Sequence, residues 1–185
     1  GLYEARKKAA RSLPLIEATV REEPDNHQHR FYLGREYLLL GRIDDARAAL
    51  TLAFEGILAS GDGPLVDTAT HLMQAMSTAN EDPRNIIGVG QTALARAPQH
   101  PDLWFEVGRA LLTANAFQNS AETLEKALVC LQNNVGDQSQ TRLTHRLWEA
   151  HELLGHAYWG AGRYQDSYQS FLQALPSKPE ESAGW

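Results

Sequence analysis

Cysteine occurs once in the 185 residues, which excludes an intramolecular disulfide. Cys130 follows "KALV" on an apolar helical face, where a buried, inert thiol is expected. Basic charge is also short: 17 Lys and Arg face 23 Asp and Glu, a formal charge of −6. A nucleic-acid backbone demands a concentrated basic surface, so no nucleic-acid partner is expected. The one basic cluster, Arg6, Lys7, Lys8 and Arg11, with Arg21 further on, reads as the solvated face of a terminal helix. No run approaches the roughly 20 apolar residues of a membrane span. The first twelve residues are too polar for a secretory signal, and a cytoplasmic setting is expected. Gly1 in place of an initiator Met suggests a processed chain or a piece of a longer one.

Catalytic and metal motifs are equally scarce. In "HELLGH" the histidines His151 and His156 lie five residues apart, not the four of a helical zinc pair. At 100° per residue they stand about 140° apart around the axis and cannot share an ion from one face. His27 and His29, two apart at a helix start, fare no better. "GVG" (88–90) has no strand before it, so it is not a nucleotide loop. No serine or cysteine sits in a nucleophile motif, and no Asp-x-Asp occurs. The segment is therefore expected to be no enzyme and to carry no cofactor and no metal.

Present instead is a helical period throughout, without good strand signals. Hydrophobic content of 43% gives material for a substantial core. Three glycines sit inside helical stretches: Gly34 in "FYLGREYLLLGRIDDARAAL", Gly108 in "WFEVGRALLTANAFQNSAETLEKAL" and Gly155 in "HELLGHAYWGAGRYQDSYQSFLQAL". Alanine would favour each helix by about 1 kcal/mol. Aligned on these glycines, the segments agree at many offsets. A turn follows at Gly41-Arg42, Asn115-Ala116 and Gly162-Arg163. Small residues follow at Ala46, Ser120 and Ser167, large ones at Leu50, Leu124 and Phe171, and alanines at Ala53, Ala127 and Ala174. Two antiparallel helices joined by a tight turn have these needs. Glycine on one helix and a small residue on the other let the axes approach, and Leu50, Leu124 and Phe171 are expected to fill gaps between neighbouring units.

This pattern resembles the tetratricopeptide repeat, a 34-residue helix–turn–helix unit. The fold expected is all-α, a tetratricopeptide-type α-solenoid in which antiparallel helix pairs stack as a right-handed superhelix. Residues 1–26 form a leading basic segment and a capping helix, read over 13–23 with Ser12 as N-cap and Pro14 in the first turn. The units are 27–60, 67–100, 101–134 and 148–181, with an insertion at 135–147 and a tail at 182–185. The second unit is degenerate: Gln74 replaces the glycine and Ile86 the small residue, so its helices should cross less closely.

In such an array the first helix of each unit lines a concave groove. Its expected ligand-binding residues are Phe31, Arg35, Leu38, His71, Phe105, Arg109, Leu112, Glu152, His156 and Trp159. Phe31, Phe105 and Trp159 are candidate aromatic anchors, and Arg35 and Arg109 could grip a carboxylate or phosphate. The bland alternative packs the aromatics against neighbouring helices. The Lys/Asn/Arg set of repeat modules that clamp a C-terminal carboxylate is not found.

A second resemblance covers nearly the whole chain. Gly1–Tyr3, Arg6–Arg11, Leu13–Glu17, Pro24–Asn26 and Phe31–Gly34 follow the order seen after the catalytic domain of bacterial family 2 glycosyltransferases that carry these repeats. "HPDLWFEVGRALL" (100–112) and a long insertion before the last unit fit the same layout. The resemblance implies a non-catalytic accessory region that recruits an acceptor or partner protein to a sugar transferase. Self-association, giving a homo-oligomer, is the alternative.

Overall fold

The computed structural model describes residues 2–133 and 141–175. Residues 135–140 of the expected insertion, 176–181 of the fourth unit and the tail 182–185 lie outside the described residues. The chain divides after Ala93 into two compact units. All regular structure among the described residues is helical.

The first unit holds α1 (Leu2–Glu22), α2 (His27–Leu39), α3 (Ile43–Ser60), α4 (Leu65–Thr78) and nearly all of α5 (Pro83–Leu94). The second holds α6 (Pro101–Thr113), α7 (Phe117–Asn133), a 3₁₀ turn at Arg142–Arg146, α8 (Leu147–Gly160) and α9 (Tyr164–Ala174). The basic segment and the capping helix are one helix, not two pieces. Ser12 is no N-cap: it lies inside α1, its hydroxyl donating to the Ala9 carbonyl at 3.2 Å, and Pro14 is accommodated in the helix interior. A side-chain cap comes instead at α2, where Asn26 accepts the His29 N–H at 3.1 Å.

Each hairpin turn contains one residue in the left-handed region: Gly41, Asn80, Asn115 and Gly162, with φ between 55° and 77°. Glycine and asparagine adopt that conformation at least cost, and it ends the first helix. The turns share one bonding pattern. Leu40, Gly41 and Arg42 donate to Glu36, Leu38 and Tyr37, and Ala114, Asn115 and Ala116 donate to Ala110, Leu112 and Leu111. Ala79, Asn80 and Glu81 repeat it with Ala75, Ser77 and Met76. That match puts Met73, not Gln74, at the place of the glycines. Met73 is fully buried and Gln74 is exposed. Asp82 is one extra residue before α5 begins, so Ile86, also buried, stays in the place of Ala46 and Ser120. Both places that are small elsewhere carry bulk in this pair.

The glycine notches are occupied, and by residues of the same hairpin. A Cβ on Gly34 would stand 2.5 Å from Leu50 Cγ, one on Gly108 2.7 Å from Leu124 Cγ, and one on Gly155 2.7 Å from Phe171 Cε1. The large residues therefore seat on the glycines within their own helix pair, which corrects their expected place between units. Close packing of this kind offsets the glycine helix penalty of about 1 kcal/mol. The small serines contribute more than space: Ser120 and Ser167 donate to the carbonyls of Gly108 and Gly155, each at 2.8 Å. In the second unit Phe105, Leu124, Leu143, Ala150 and Leu154 form one buried cluster.

Candidate binding face

In the first unit, α2 and α4 turn two expected groove residues into core. Phe31 is 5% exposed, and its ring centroid lies 5.4 Å from that of His71 in an edge-on contact. His71 is buried, with Nδ1 2.6 Å from the Asp67 carbonyl oxygen one turn back. Arg35 is partly exposed, pairs with Glu36 at 3.0 Å and stands 5.2 Å over the Tyr32 ring. Leu38 is half-buried.

In the second unit the face of α6 is covered by the chain itself. The Asp102 carboxylate accepts the backbone N–H groups of Arg142 and Leu143 at 3.0 and 2.8 Å, latching the 3₁₀ turn onto α6. Leu143 then enters the core. Arg146 lies 4.5 Å over the Phe105 ring, makes two 2.8 Å bonds to Glu149 and one of 3.0 Å to Glu106. The second oxygen of Glu106 lies 2.6 Å from Arg109. Burial acts to lower the Arg146 pKa, but its hydrogen bonds to Glu149 and the charges of Glu106 and Glu149 outweigh it and hold the guanidinium above its ordinary range. Phe105 is 1% exposed beneath this lattice, so the packing reading applies to it as to Phe31. Arg109 is committed to Glu106, and Leu112 packs on the core.

Three of the ten residues remain on the surface or near it in α8. Glu152 is half-buried, His156 is exposed and edge-on to Phe171 at 5.0 Å, and Trp159 is 63% exposed. Trp159 also meets Tyr164 edge-on at 5.0 Å. Sequence reasoning missed Arg146, which falls in the expected insertion 135–147; its three-residue spacing from Glu149 at a helix start was the legible signal. Among the described residues no group of three or more His, Cys, Asp or Glu could hold a metal ion, and no helix is long and apolar enough to cross a membrane.

His151, half-buried at the start of α8, has its pKa lowered by burial. The unfolded chain therefore binds the proton more tightly than the folded one, and the stability this residue contributes declines as pH falls through the ordinary histidine range. Thermal melts at pH 7 and pH 5 should show a smaller acid loss for His151→Gln than for the unaltered chain. Equal losses would refute the assignment.

A tetratricopeptide repeat model matches residues 2–57 and 91–135, more than half of the chain, and a second such model matches 149–181. The chain belongs to the tetratricopeptide repeat family. The stretch between the first matches, 58–90, contains the α4 helix with Met73 in the glycine place. Among solved structures, one of MamA superposes with a TM-score of 0.71 at 18% identity, covering 94% of this chain and 85% of that one. MamA 41-end from Desulfovibrio magneticus RS-1 gives 0.69 at 12% identity, covering 98% and 97%. At these identities the likeness is one of fold. No curated protein matches the sequence.

Proposed function

We propose that this chain is a non-catalytic scaffold that binds a protein or peptide partner through the exposed part of its first helices. Trp159 carries the reading. A tryptophan exposed to 63% on a repeat's first helix is a large, rigid surface that a partner can desolvate, with His156 one turn before it. Arg35 and Leu38 would serve in the same way on α2. A photocrosslinking amino acid at position 159 should yield a discrete adduct in extract of the native host, while one at exposed Val129 on α7 should not. Equal labelling at both positions would reject the face. The finer reading, an accessory region that recruits an acceptor to a cytoplasmic family 2 glycosyltransferase, rests on the sequence resemblance alone.

A second reading, self-association, is favoured by α9. Tyr164, Tyr168 and Leu172 are exposed along it, and Leu175 is exposed just past its end. In the preceding pair, Phe117 takes the place of Tyr164 and packs on Gly160 of α8, and Ala121 takes the place of Tyr168 and is fully buried. A second copy would cover the exposed face. Light scattering should then show mass rising with concentration and Tyr168→Glu abolishing the rise. A constant monomer mass would discard this reading.

A further inference from the structure

The face of α6 that carries Phe105 is occupied by the chain's own 3₁₀ turn, Arg142–Arg146. Its hold is of the kind a bound peptide makes. Two successive backbone N–H groups, of Arg142 and Leu143, donate to the Asp102 carboxylate. Leu143 inserts an aliphatic side chain into the buried cluster, and Arg146 lies over Phe105, bonded to Glu106 and Glu149. Stacked hairpins do not require such a turn. In the first unit α3 reaches α4 through 61–64. There Phe31, at the same offset from its glycine as Phe105, meets a side chain of α4 itself, the edge-on ring of His71. In the second unit α7 reaches α8 through an insertion that the 34-residue period does not need, and the end of that insertion does the covering.

The fit of the turn is imperfect. The Thr144 hydroxyl oxygen is buried with no hydrogen-bond partner. Burying an unpaired hydroxyl works against the contact, and valine offers the same branched shape without it. The turn also acts from within the chain. A tethered segment competes at an effective concentration in the millimolar range, so a free peptide of equal fit displaces little of it. One that lacks the unpaired hydroxyl displaces more.

We propose that Arg142–Arg146 is an autoinhibitory contact, holding the α6 face closed against a partner peptide of the same pattern. That peptide has an aliphatic residue in the place of Leu143, an apolar residue in the place of Thr144 and an arginine in the place of Arg146. The aliphatic residue is demanded by the buried cluster that Leu143 would vacate. The arginine is demanded by Glu106, 4% exposed, and by Glu149, because a buried carboxylate that loses a cationic partner is destabilised. The apolar residue removes the unpaired hydroxyl. This rests on the scaffold reading above and adds its regulation: the face around Trp159 is open, and that of α6 opens only to a peptide that outcompetes the turn.

The probe is an unlabelled peptide of residues 141–146 carrying Thr144→Val, added at about 1 mM to the isotope-labelled full chain, so that only the chain's own amides are read. The Arg142 and Leu143 amides should lose at least about tenfold in exchange protection, with α2 unchanged. The peptide without the substitution should need at least about fivefold more to reach that loss, and one carrying Leu143→Asp should have no effect. Thr144→Val in the chain, which relieves the turn of its unpaired hydroxyl, should raise the amount of probe needed by a similar factor. Unchanged protection at about 1 mM would make the turn a fixed part of the fold and overturn the proposal. So would equal potency of the two peptides, or binding that leaves both amides protected, since the peptide would then sit elsewhere. Failure here leaves the adduct expected at position 159 untouched, so the two readings fall separately.

Discussion

Replacing Gly108 by leucine should lower the melting temperature by roughly 4–9 °C. Two effects oppose each other at this site. Leucine favours a helix over glycine by about 0.8 kcal/mol. Against that, a Cβ would stand 2.7 Å from Leu124 Cγ and 2.8 Å from Cδ2, and Leu124 is itself fully buried with nowhere to retreat. Overpacking a close-fitted site costs up to about 3 kcal/mol, and the longer leucine side chain places this substitution at the upper end, so the clash wins. For a chain of this size each kcal/mol moves the melting temperature by about 2–4 °C. Gly88 supplies the opposite case in the same molecule. A Cβ there meets nothing within 4 Å, so Gly88→Ala should stabilise α5 by up to about 1 kcal/mol. Differential scanning calorimetry of both variants reads the two signs directly. A neutral Gly108→Leu would remove the notch from the explanation.

The second large effect is expected at Asp102. Its carboxylate is buried and accepts two backbone N–H groups, from Arg142 and Leu143. Hydrogen bonds to a charged group contribute about 1.5–3 kcal/mol each, and Asp102→Ala leaves both donors without that acceptor, for a loss of about 3 kcal/mol. The 3₁₀ turn should come away from α6 before the helices melt, because its anchor is local. Hydrogen exchange should therefore show the Arg142 and Leu143 amides losing at least tenfold in protection in Asp102→Ala, with α2 unchanged. Asp102→Asn, which keeps one acceptor oxygen, should lose less. Unaltered protection at those two amides would refute the latch.

The repeat was legible because it depends on residues whose physical role survives in a one-dimensional pattern. Glycine inside a helix is costly, so three of them at equivalent places announce a close contact, and the turns that follow are marked by residues that tolerate a left-handed backbone. The partner of each notch was harder to place. Leu50, Leu124 and Phe171 were visible as a recurring large position, but periodicity does not say whether such a side chain turns inward to its own pair or outward to the next. The slip from Met73 to Gln74 has a similar origin. Counting by 34 spreads an extra residue over the whole unit, whereas the turn hydrogen bonds locate it at Asp82. Among the site residues, offsets identified the helix face and not its exposure. Phe105 sits at the expected offset and is still covered, because Arg146 arrives from forty residues away and finds Glu106 and Glu149 already in place.

Coupling between positions 108 and 124 tests the central claim most directly. Leu124→Ala alone should cost about 2–5 kcal/mol by opening a cavity. Combined with Gly108→Leu, the new side chain enters that cavity, and the double variant should be more stable than the sum of the single losses implies by at least about 1 kcal/mol. Losses that add within about 0.5 kcal/mol would mean that Leu124 does not seat on Gly108, and the helix pairs would need another reason for their glycines.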